Sequence, residues 1–479
     1  MIYSRCKGGR RAPCAPTHKQ VCSFRMDRAC DPLTVYQPNA VPHPSQTWFF
    51  FCSPGPSFRF FQCFVRLQTR HTFCQAPSPG SLSARRAPIM RLIGIGAALH
   101  LAALAVTGVA AIDESWSAVN ALSALQQQAM EGLKVSPPPS TKRGEANTCS
   151  LLTADRRQDW ENMSKPQRKD YIRAVQCLHT LPSKSDPAWA PAAQTRYDDF
   201  VAVHMNMTMS VHGSGLFLTW HRYLVWAYEQ ALRNECSYKG YQPYWNYFSH
   251  ADNIYESPVF DGSDTSMGGD GDFFEHDGAL GGASMIKIPS GKGGGCMTTG
   301  PFANWTANMG PVRPGMQNMS SIPDFTVYNP RCLRRDLSSY VTNRWFTTAN
   351  LLNVTIGPAS ATHYGYWREV QGRYPDQFLG LHTSGHYAMG ADATDLYSSI
   401  NDPAFWLHHT MFDRLYWIWQ VLHPAEARKT AGTLTLSNNP PTRNATVDDL
   451  LQMGILAETR PLHEMFDTLG GKPLCYVYV

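Results

Sequence analysis

Charged side chains are scarce in this chain. Asp, Glu, Lys and Arg make up 16% of its 479 residues, while hydrophobic residues reach 43% and include 13 Trp and 22 Phe. A disordered chain has the opposite balance, because it cannot bury enough apolar surface to offset the entropy lost on ordering. The composition therefore excludes wholesale disorder. The length allows two to four domains, or one large domain with extensions.

Acidic residues are nearly absent from the first 89 residues, which carry 12 Lys and Arg but only 2 Asp and Glu. This segment alone has a charge of +10, so the +5 of the whole chain leaves −5 for residues 90–479. A nucleic-acid-binding enzyme concentrates positive charge on its folded domain. The mildly acidic bulk of the chain excludes that class, and we expect no nucleic-acid partner.

Cysteine pairs at zinc-binding spacing are missing from residues 1–89, which contain seven cysteines but no Cys-x-x-Cys. A zinc site is therefore not expected there. Six further cysteines are widely spaced, which is typical of three disulfides in an oxidising compartment: Cys149, Cys177, Cys236, Cys296, Cys332 and Cys475. Their pairing stays open, although a bridge between Cys296 and Cys332 would pin a glycine-rich stretch.

Strand patterns are few and internal repeats are absent. Strands are predicted only at 475–479 and 434–436, and residues 261–315, with 14 glycines, predict a long surface loop. Apolar residues at three-to-four spacing predict a helix over 215–235, and helices are also predicted over 113–133, 376–390 and 402–422. Residues 154–177 predict helical segments around a turn at Ser164-Lys165-Pro166. The sequence therefore predicts a mainly α fold with long loops and a little β structure.

Residues 90–111 have the pattern of a secretory signal peptide, with a basic start, an apolar run and small residues up to Ala111. In one interpretation cleavage follows Ala111, and residues 1–89 are a low-order basic extension that the working protein lacks. In the other, residues 92–111 stay uncleaved as a signal anchor, which is long enough to span a bilayer. Both interpretations send residues 112–479 to the lumen or the outside, so we expect a secreted or membrane-anchored protein.

The part beyond the signal divides into two segments. Residues 112–148 predict a propeptide-like or peripheral helix and a linker, and residues 149–479 predict the main catalytic domain. Six Asn-x-Ser/Thr sequons agree with a secretory route and are candidate glycosylation sites: Asn162, Asn206, Asn304, Asn318, Asn353 and Asn444.

Histidines concentrate at two places in the chain. His204, His212 and His221 fall within 18 residues. His382 and His386 are spaced four apart, which puts both imidazoles on one face of a helix and within reach of one metal ion. Each place is therefore a candidate metal site.

His408 and His409 complete the second group. They follow the helix-start signal Asp402-Pro403, so a second helix could bring a third imidazole to the pair. A zinc protease is excluded, because Thr383 stands where its general base Glu would be. Six imidazoles shared between two neighbouring sites suit copper, which cycles between Cu(I) and Cu(II) with nitrogen ligands. We therefore expect two copper ions as the cofactor.

Two segments carry a resemblance to a known family. FLTWHRYLVWAYEQAL at 217–232 and NDPAFWLHHTMFDRLYW at 401–417 resemble the two copper-binding signatures of the tyrosinase / catechol oxidase family, the type 3 copper proteins. The resemblance covers roughly residues 149–479. PYWNYFSHADN and the ending CYVYV are similar to the short, secreted fungal members, and the 70 residues after His409 are too few for the C-terminal shielding domain of longer polyphenol oxidases.

The resemblance implies a four-helix bundle that holds a dicopper centre between its helices. It implies that His204, His212 and His221 hold the first copper. It implies that His382, His386 and His409 hold the second, with His408 adjacent but not a ligand. The implied reaction uses O2 to oxidise small phenols or tyrosine-containing substrates, by hydroxylating monophenols and converting o-diphenols to o-quinones, in pigment or secondary-metabolite biosynthesis.

Further roles follow from the same resemblance. Phe405 and Thr383 are candidates to touch the substrate, although Phe405 is equally interpreted as a core aromatic. Asp413 and Arg414 are candidates to orient the imidazoles, with an exposed ion pair on a helix as the alternative. The alternative function is a non-catalytic, O2-binding type 3 copper protein, of which haemocyanin is an example.

The sequence also departs from the family at three places. Ser210 stands where many members have a cysteine that forms a thioether with the second histidine. Thr383 stands where monophenol-active members often have Asn, and no Glu lies just upstream to help hold a deprotonating water. Asn246-Tyr247 follows PYW, where Asp-Trp is usual. The Thr383 departure predicts that o-diphenols or o-aminophenols are oxidised faster than tyrosine.

Overall fold

The computed structural model describes residues 50–54, 61–65, 112–135 and 149–479. The chain divides into two compact units, residues 1–95 and residues 96–479. In the first unit the described residues form an antiparallel pair of strands, β1 (Phe50–Pro54) and β2 (Phe61–Val65). The predicted signal segment 90–111 and the linker 136–148 lie outside the described residues.

Helices dominate the second unit, which confirms the mainly α fold predicted from the sequence. Over the described residues the α-helices are α1 (Ala118–Val135), α2 (Lys165–Thr180), α3 (Arg196–Val211), α4 (Phe217–Glu235), α5 (Ser339–Trp345), α6 (Thr348–Thr355), α7 (His363–Gln371), α8 (Leu381–Met389) and α9 (Phe405–Leu422). Within this part of the chain, no helix has the length and hydrophobicity that crossing a membrane requires.

Four helices, α3, α4, α8 and α9, form the bundle that carries the histidines. α4 packs against α3 and α9, and α9 also packs against α8. All sixteen residues from Phe405 to Gln420 of α9 are buried, as expected of a helix that is apolar on every side and lies inside a domain. α9 is therefore the central element of the site.

α3 begins at a capping box that the helical periodicity did not reveal. The Thr195 hydroxyl accepts a hydrogen bond from the Asp198 backbone N–H, and the Asp198 carboxylate accepts from the Thr195 backbone N–H. This exchange satisfies donors that a helix N-terminus otherwise leaves unpaired. The Thr-x-x-Asp spacing was the available signal for a helix that carries one of the predicted metal ligands.

α1 is part of the packed core, although the sequence predicted a peripheral helix at this place. Its face formed by Ala121, Leu122, Leu125 and Ala129 is fully buried, and the helix packs against α9 and α6. The Gln126 side chain also accepts a hydrogen bond from Arg414 Nε at 2.7 Å. The apolar face of α1 therefore packs against other helices of the second unit.

In the described part of the chain, β structure is limited to two-stranded ladders. Over the described residues of the second unit the strands are β3 (Asp155–Arg157), β4 (Gly271–Phe273), β5 (Ala279–Gly281), β6 (Ile286–Ile288), β7 (Gly294–Met297), β8 (Thr306–Ala307), β9 (Arg331–Cys332), β10 (Leu450–Leu451), β11 (Arg460–Pro461) and β12 (Tyr476–Tyr478). The pairs are β3–β12, which is parallel, and the antiparallel β4–β7, β5–β6, β8–β9 and β10–β11.

Three sequence predictions are corrected here. The predicted strand at 434–436 is wrong, because a tight turn with positive φ at Ser437 and Asn438 begins there. Of the helical segments predicted in 154–177, the one after the turn is α2, but the one before it is wrong, because β3 and a single 3-10 turn at Trp160–Asn162 stand there. The predicted loop at 261–315 holds strands with buried side chains, since its glycines let backbones approach closely. A Cβ at Gly278 would lie 2.1 Å from the Ile288 carbonyl oxygen.

Three disulfides join the six cysteines that follow residue 89, as predicted: Cys149–Cys475, Cys177–Cys236 and Cys296–Cys332. Cys149–Cys475 ties the start of the main domain to its last strand, beside the β3–β12 pair. Cys296–Cys332 closes the glycine-rich stretch. Bridges of this kind stabilise a domain by roughly 2–4 kcal/mol each.

Candidate metal centre

The first group of histidines lies at the contact of α3 and α4. His204 is on α3, His212 is the residue that caps the C-terminus of α3, and His221 is on α4. One ring nitrogen of each lies within 4.8 Å of the others. All three side chains are buried, so the structure brings together the three residues that the sequence proposed for the first copper.

Backbone carbonyls fix the orientation of these imidazoles. Nδ1 lies 2.7 Å from the Tyr397 carbonyl oxygen in His204, 3.1 Å from that of Thr208 in His212, and 2.8 Å from that of Phe217 in His221. A carbonyl oxygen only accepts, so each Nδ1 carries the proton and each Nε2 carries a lone pair. Nε2 of His204 and of His221 is buried without a hydrogen-bond partner in the described part of the chain. These lone pairs are therefore available to coordinate a metal ion.

The second group lies where α8 meets α9. His386 Nε2 is 3.2 Å from His382 Nε2 and 3.3 Å from His409 Nε2. The ring nitrogens of His382, His386 and His409 thus lie close together. These are the three residues that the sequence proposed as ligands of the second copper. His408 belongs to the same group, since one of its ring nitrogens also lies within 4.8 Å of the other three.

The two groups form one centre. The rings of His221 and His409 stack at 4.8 Å between centroids with an interplanar angle of 25°. The ring of Phe405 stacks on His409 at 3.9 Å and also contacts His204 and His386, at 5.5 and 5.9 Å. An aromatic side chain from the start of α9 thereby touches imidazoles of both groups.

Burial keeps these imidazoles neutral. Removal from water lowers the pKa of His212 to about 4 and that of His386 to about 3. Burial, reinforced by neighbouring imidazoles, holds the pKa of His204, His221, His382 and His409 well below the ordinary value. A neutral imidazole is the form that binds a metal ion. The chemistry of the donor set and the unpaired Nε2 atoms both fit a pair of copper ions.

The other predicted site residues occupy different positions. Phe405 is fully buried beneath the imidazoles. Thr383 is half-buried on α8, and its hydroxyl donates to the Gln371 carbonyl oxygen at 2.9 Å. Neither Asp413 nor Arg414 has a hydrogen bond to a histidine among the described residues. In the first group the orientation that the sequence assigned to them comes instead from backbone carbonyls, which no side-chain pattern could indicate.

Asp413 is the centre of a buried polar network behind the bundle. It accepts hydrogen bonds at 2.6 Å from Arg222 Nε and from the hydroxyls of Tyr476 and Tyr478. The network ties the chain end to α4 and α9. Arg414 stacks over the Tyr244 ring at 4.5 Å and reaches α1 through Gln126. Both side chains therefore join elements around the bundle.

Tyr247 is a residue of the centre that the sequence indicated only as a departure from the family. Its hydroxyl lies 2.6 Å from His408 Nδ1 and 2.9 Å from the His408 carbonyl oxygen. Gly385, between His382 and His386 on α8, lies against the same His408 ring, and a Cβ there would come within 2.2 Å of it. Together they hold His408 beside the second group.

A fold and site of this kind define a tyrosinase-type copper protein, and comparisons with known proteins agree. The common central domain of tyrosinase matches residues 194–422. Tyrosinase P of Aspergillus terreus is 39% identical over 332 residues, which is 68% of this chain and 92% of that protein. The chain therefore belongs to the tyrosinase family and is a tyrosinase-like oxidoreductase.

Two further relatives cover most of their own length. N-acetyl-6-hydroxytryptophan oxidase of Emericella nidulans is 33% identical over 345 residues, which is 69% of this chain and 93% of that protein. The structure of a polyphenol oxidase variant from Thermothelomyces thermophila has a TM-score of 0.67 and 34% identity, and the match covers 75% of this chain and 97% of that one. Both names describe oxidation of hydroxylated aromatic compounds by those proteins.

Proposed function

We propose that this protein oxidises o-diphenols, and o-aminophenols, to the corresponding quinonoid products with O2 at a pair of copper ions. His204, His212 and His221 would hold one ion, and His382, His386 and His409 the other. The observation that carries the proposal is the convergence of six neutral, buried imidazoles in two touching groups. Bound copper would supply the electron transfer between substrate and O2.

The protein's own residues prepare the site. Backbone carbonyls hold Nδ1 of the first group, so that Nε2 faces inward. Phe405 fills the space beneath the His409 ring, which keeps water from that side and limits its movement. Oxidation of two o-diphenols by one O2 gives two o-quinones and two waters, so no further reductant is required.

The surroundings of Thr383 support a preference for o-diphenols. The Thr383 hydroxyl has one proton, which it gives to the Gln371 carbonyl oxygen at 2.9 Å. The nearest upstream glutamate, Glu369, is buried and accepts from Arg373 Nε at 2.8 Å and from Asn353 Nδ2 at 2.6 Å. The Thr383 hydroxyl therefore offers a water an acceptor but no donor, and the Glu369 carboxylate is already held by Arg373 and Asn353.

The free energy needed to remove the phenol proton distinguishes monophenols from o-diphenols as substrates. A free phenol has a pKa near 10, so removing its proton at pH 7 costs about 4 kcal/mol without a positioned base. A monophenol must lose that proton before it is hydroxylated. An o-diphenol binds through two oxygens, is already a good reductant, and depends less on a base. We therefore expect catechols to be turned over much faster than tyrosine.

Oxygen consumption by the copper-loaded protein tests this proposal. The substrate panel contains catechol, o-aminophenol, tyrosine and a 6-hydroxytryptophan derivative, the last because of the relative's name. Rapid oxidation of catechol and o-aminophenol with slow or lagging oxidation of tyrosine is expected. Equal rates for tyrosine and its catechol, without a lag, would contradict it, and reversible O2 binding with no turnover would favour the non-catalytic alternative.

We further propose that residues 112–479 act in the secretory pathway or outside the cell. Three disulfides support an oxidising compartment. Five of the sequon asparagines are exposed and open to a glycan, whereas Asn353 is half-buried and bonded to Glu369. N-terminal sequencing of the secreted protein is expected to begin near Ile112. Membrane-bound protein that retains residues 1–89 would establish the anchor instead.

A further inference from the structure

Asp395 is a buried carboxylate that the proposed oxidation does not use. It is 0% exposed, and a buried charge is costly unless hydrogen bonds compensate it. Oδ1 accepts from the Tyr397 N–H at 3.1 Å, the Ser398 N–H at 2.7 Å and the Ser398 hydroxyl at 2.9 Å. Oδ2 accepts from the N–H groups of Val312, at 3.0 Å, and Arg313.

The ionised form of Asp395 fits these surroundings. Burial raises the pKa of this carboxyl, and the Ser398 N–H is foremost among the hydrogen bonds that oppose the rise. Four of the five partners are backbone N–H groups, which only donate, so they favour a carboxylate over a protonated acid. A negative charge is therefore held at a fixed place beside residues 397 and 398.

The peptide unit between Tyr397 and Ser398 connects this charge to a copper ligand. Its N–H belongs to Ser398 and donates to Asp395 Oδ1 at 2.7 Å. Its C=O belongs to Tyr397 and lies 2.7 Å from His204 Nδ1, whose proton it accepts. The two ends of a peptide unit share one delocalised bond system, so a charge at the N–H makes the carbonyl oxygen a stronger acceptor.

The other two imidazoles of the first group lack such a connection. His212 and His221 are held by the carbonyls of Thr208 and Phe217, each four residues earlier in the chain. Among the described residues, no carboxylate accepts from the N–H of the peptide unit that follows either carbonyl. Within the first group, His204 alone is therefore joined to a carboxylate.

A carboxylate behind a metal-binding histidine makes the ring more basic. The stronger acceptor draws the Nδ1 proton away from the ring, which increases the electron density at Nε2, and partners of this kind typically change metal affinity 10–100-fold. An ion of higher charge gains more from a negatively polarised ligand. The effect is therefore larger for Cu(II) than for Cu(I).

We propose that Asp395 is a positioning residue for the first copper ion, which acts on His204 through the Tyr397–Ser398 peptide and stabilises Cu(II) relative to Cu(I). No atom is transferred, and the proton stays on Nδ1. The proposal rests on the copper centre of the proposed function, but it concerns the balance of oxidation states at one ion, and it holds whichever phenol the enzyme oxidises.

The test measures copper affinity at the first histidine group alone, in the full-length protein. The background variant His382→Ala/His386→Ala removes both α8 ligands of the second group. Competition with bicinchoninate gives the affinity for Cu(I), and competition with nitrilotriacetate gives that for Cu(II). Asp395→Asn is then added, because an amide keeps the shape and one acceptor oxygen but removes the charge.

Asp392→Asn in the same background is the matched control. Asp392 is also 0% exposed, lies three residues before Asp395, and pairs with Arg331 Nη1 at 2.7 Å. Its loss disturbs the same segment without touching the chain of bonds to His204. A second background, His221→Ala, leaves only the second group and shows whether an effect of Asp395→Asn is confined to the first.

Asp395→Asn should weaken Cu(II) binding at the first group on the order of tenfold, and Cu(I) binding much less. A tenfold change in the ratio of the two affinities raises the reduction potential of the bound ion by about 59 mV. The ratio should not change in Asp392→Asn, and copper affinity in the His221→Ala background should not change with Asp395→Asn.

An unchanged ratio in Asp395→Asn, or an equal change in Asp392→Asn, would overturn the proposal. So would an equal loss of affinity in the His221→Ala background, because that is the result of general destabilisation. If the proposed copper function itself were wrong, the background variants would bind no copper even with Asp395 intact, and this proposal would fall with it.

A measurement on the copper-free wild-type protein does not depend on how the Asp395 variant folds. The Nδ1 proton of His204, assigned in the NMR spectrum by its loss in His204→Ala, should resonate further downfield than those of His212 and His221, because its hydrogen bond is the more strongly polarised. A His204 resonance level with or upfield of the other two would contradict the proposal.

Discussion

The Tyr247 hydroxyl lies 2.6 Å from His408 Nδ1 and 2.9 Å from the His408 carbonyl oxygen. The two contacts are compatible if the hydroxyl donates to the carbonyl and accepts from Nδ1–H, so His408 is held in one tautomer. Its ring then lies parallel to that of His382, with centroids 5.4 Å apart and an angle of 21°. Tyr247 thereby acts on the second histidine group through a residue that the family pattern does not count as a ligand.

Tyr247→Phe should weaken the second copper site. The change removes one hydroxyl and leaves His408 Nδ1 buried without a partner, which costs about 1–3 kcal/mol. We expect a lower free energy of unfolding and partial loss of one of two coppers, measured by chemical denaturation and metal analysis. Tyr244→Phe is the control, because its hydroxyl donates to the Val479 carbonyl at 2.8 Å, away from the histidines. Equal copper content in both variants would refute the role given to Tyr247.

Gly385→Ala should have a larger effect on the same site. A methyl group at this position would lie 2.2 Å from the His408 ring, closer than atoms can pack, so α8 or His408 must move. We expect loss of one copper and of oxidase activity. Gly132→Ala in α1 is the control, since its nearest contact is a Val421 methyl at 3.0 Å and alanine favours a helix. A Gly385→Ala protein with full copper content would show that the contact with His408 is unimportant.

Asp413→Asn should remove a pH-dependent part of the stability. Burial alone would raise the pKa of Asp413, but Arg222 and Arg157 outweigh it and the pKa is lowered. The carboxylate therefore stabilises the fold at neutral pH, and this contribution is lost as the pH falls through the lowered pKa. Since the variant leaves the buried Arg222 uncompensated, a loss of about 3–5 kcal/mol at pH 7 is expected.

Denaturation from pH 7 to pH 3 measures this effect. The gap between wild type and Asp413→Asn should narrow as the pH falls towards 3, because the unfolded chain binds a proton at this carboxylate at a higher pH than the folded protein does. Asp264→Asn serves as the control, since this aspartate pairs with Lys169 at the exposed surface, where ion pairs contribute little. A gap that stays constant with pH would mean that Asp413 stabilises by packing rather than by charge.

Thr383→Asn should shift the balance of the two reactions towards monophenols. An amide side chain offers both a donor and an acceptor for a water, which the Thr383 hydroxyl, bonded to the Gln371 carbonyl, does not. We expect the ratio of tyrosine to catechol turnover to rise, with the gain limited by the absence of a nearby free glutamate. Thr383→Val keeps the shape without the hydroxyl and should leave the ratio low. A ratio unchanged in Thr383→Asn would contradict this inference.

The sequence was sufficient for the helices that are strongly periodic and for the histidines they carry. α4 and α9 were predicted because residues 215–235 and 402–422 have long apolar faces at helical spacing. α3 was missed because its signal is the Thr195–Asp198 capping box rather than periodicity. The strands in 261–315 were missed because each has only two to four residues and most contain glycine, so no sustained alternation of apolar and polar side chains marks them. Tyr397 could not be found, since a backbone carbonyl has no residue signature.

Copper analysis of the His221→Ala variant tests the central claim most directly. Among the described residues three histidines converge in the first group, whereas His408 adds a fourth imidazole to the second group. The wild-type protein should contain two coppers per chain and oxidise catechol. His221→Ala should retain one copper and no oxidase activity. Zinc in an active wild-type protein, or two coppers retained in His221→Ala, would contradict a dicopper centre built on these histidines.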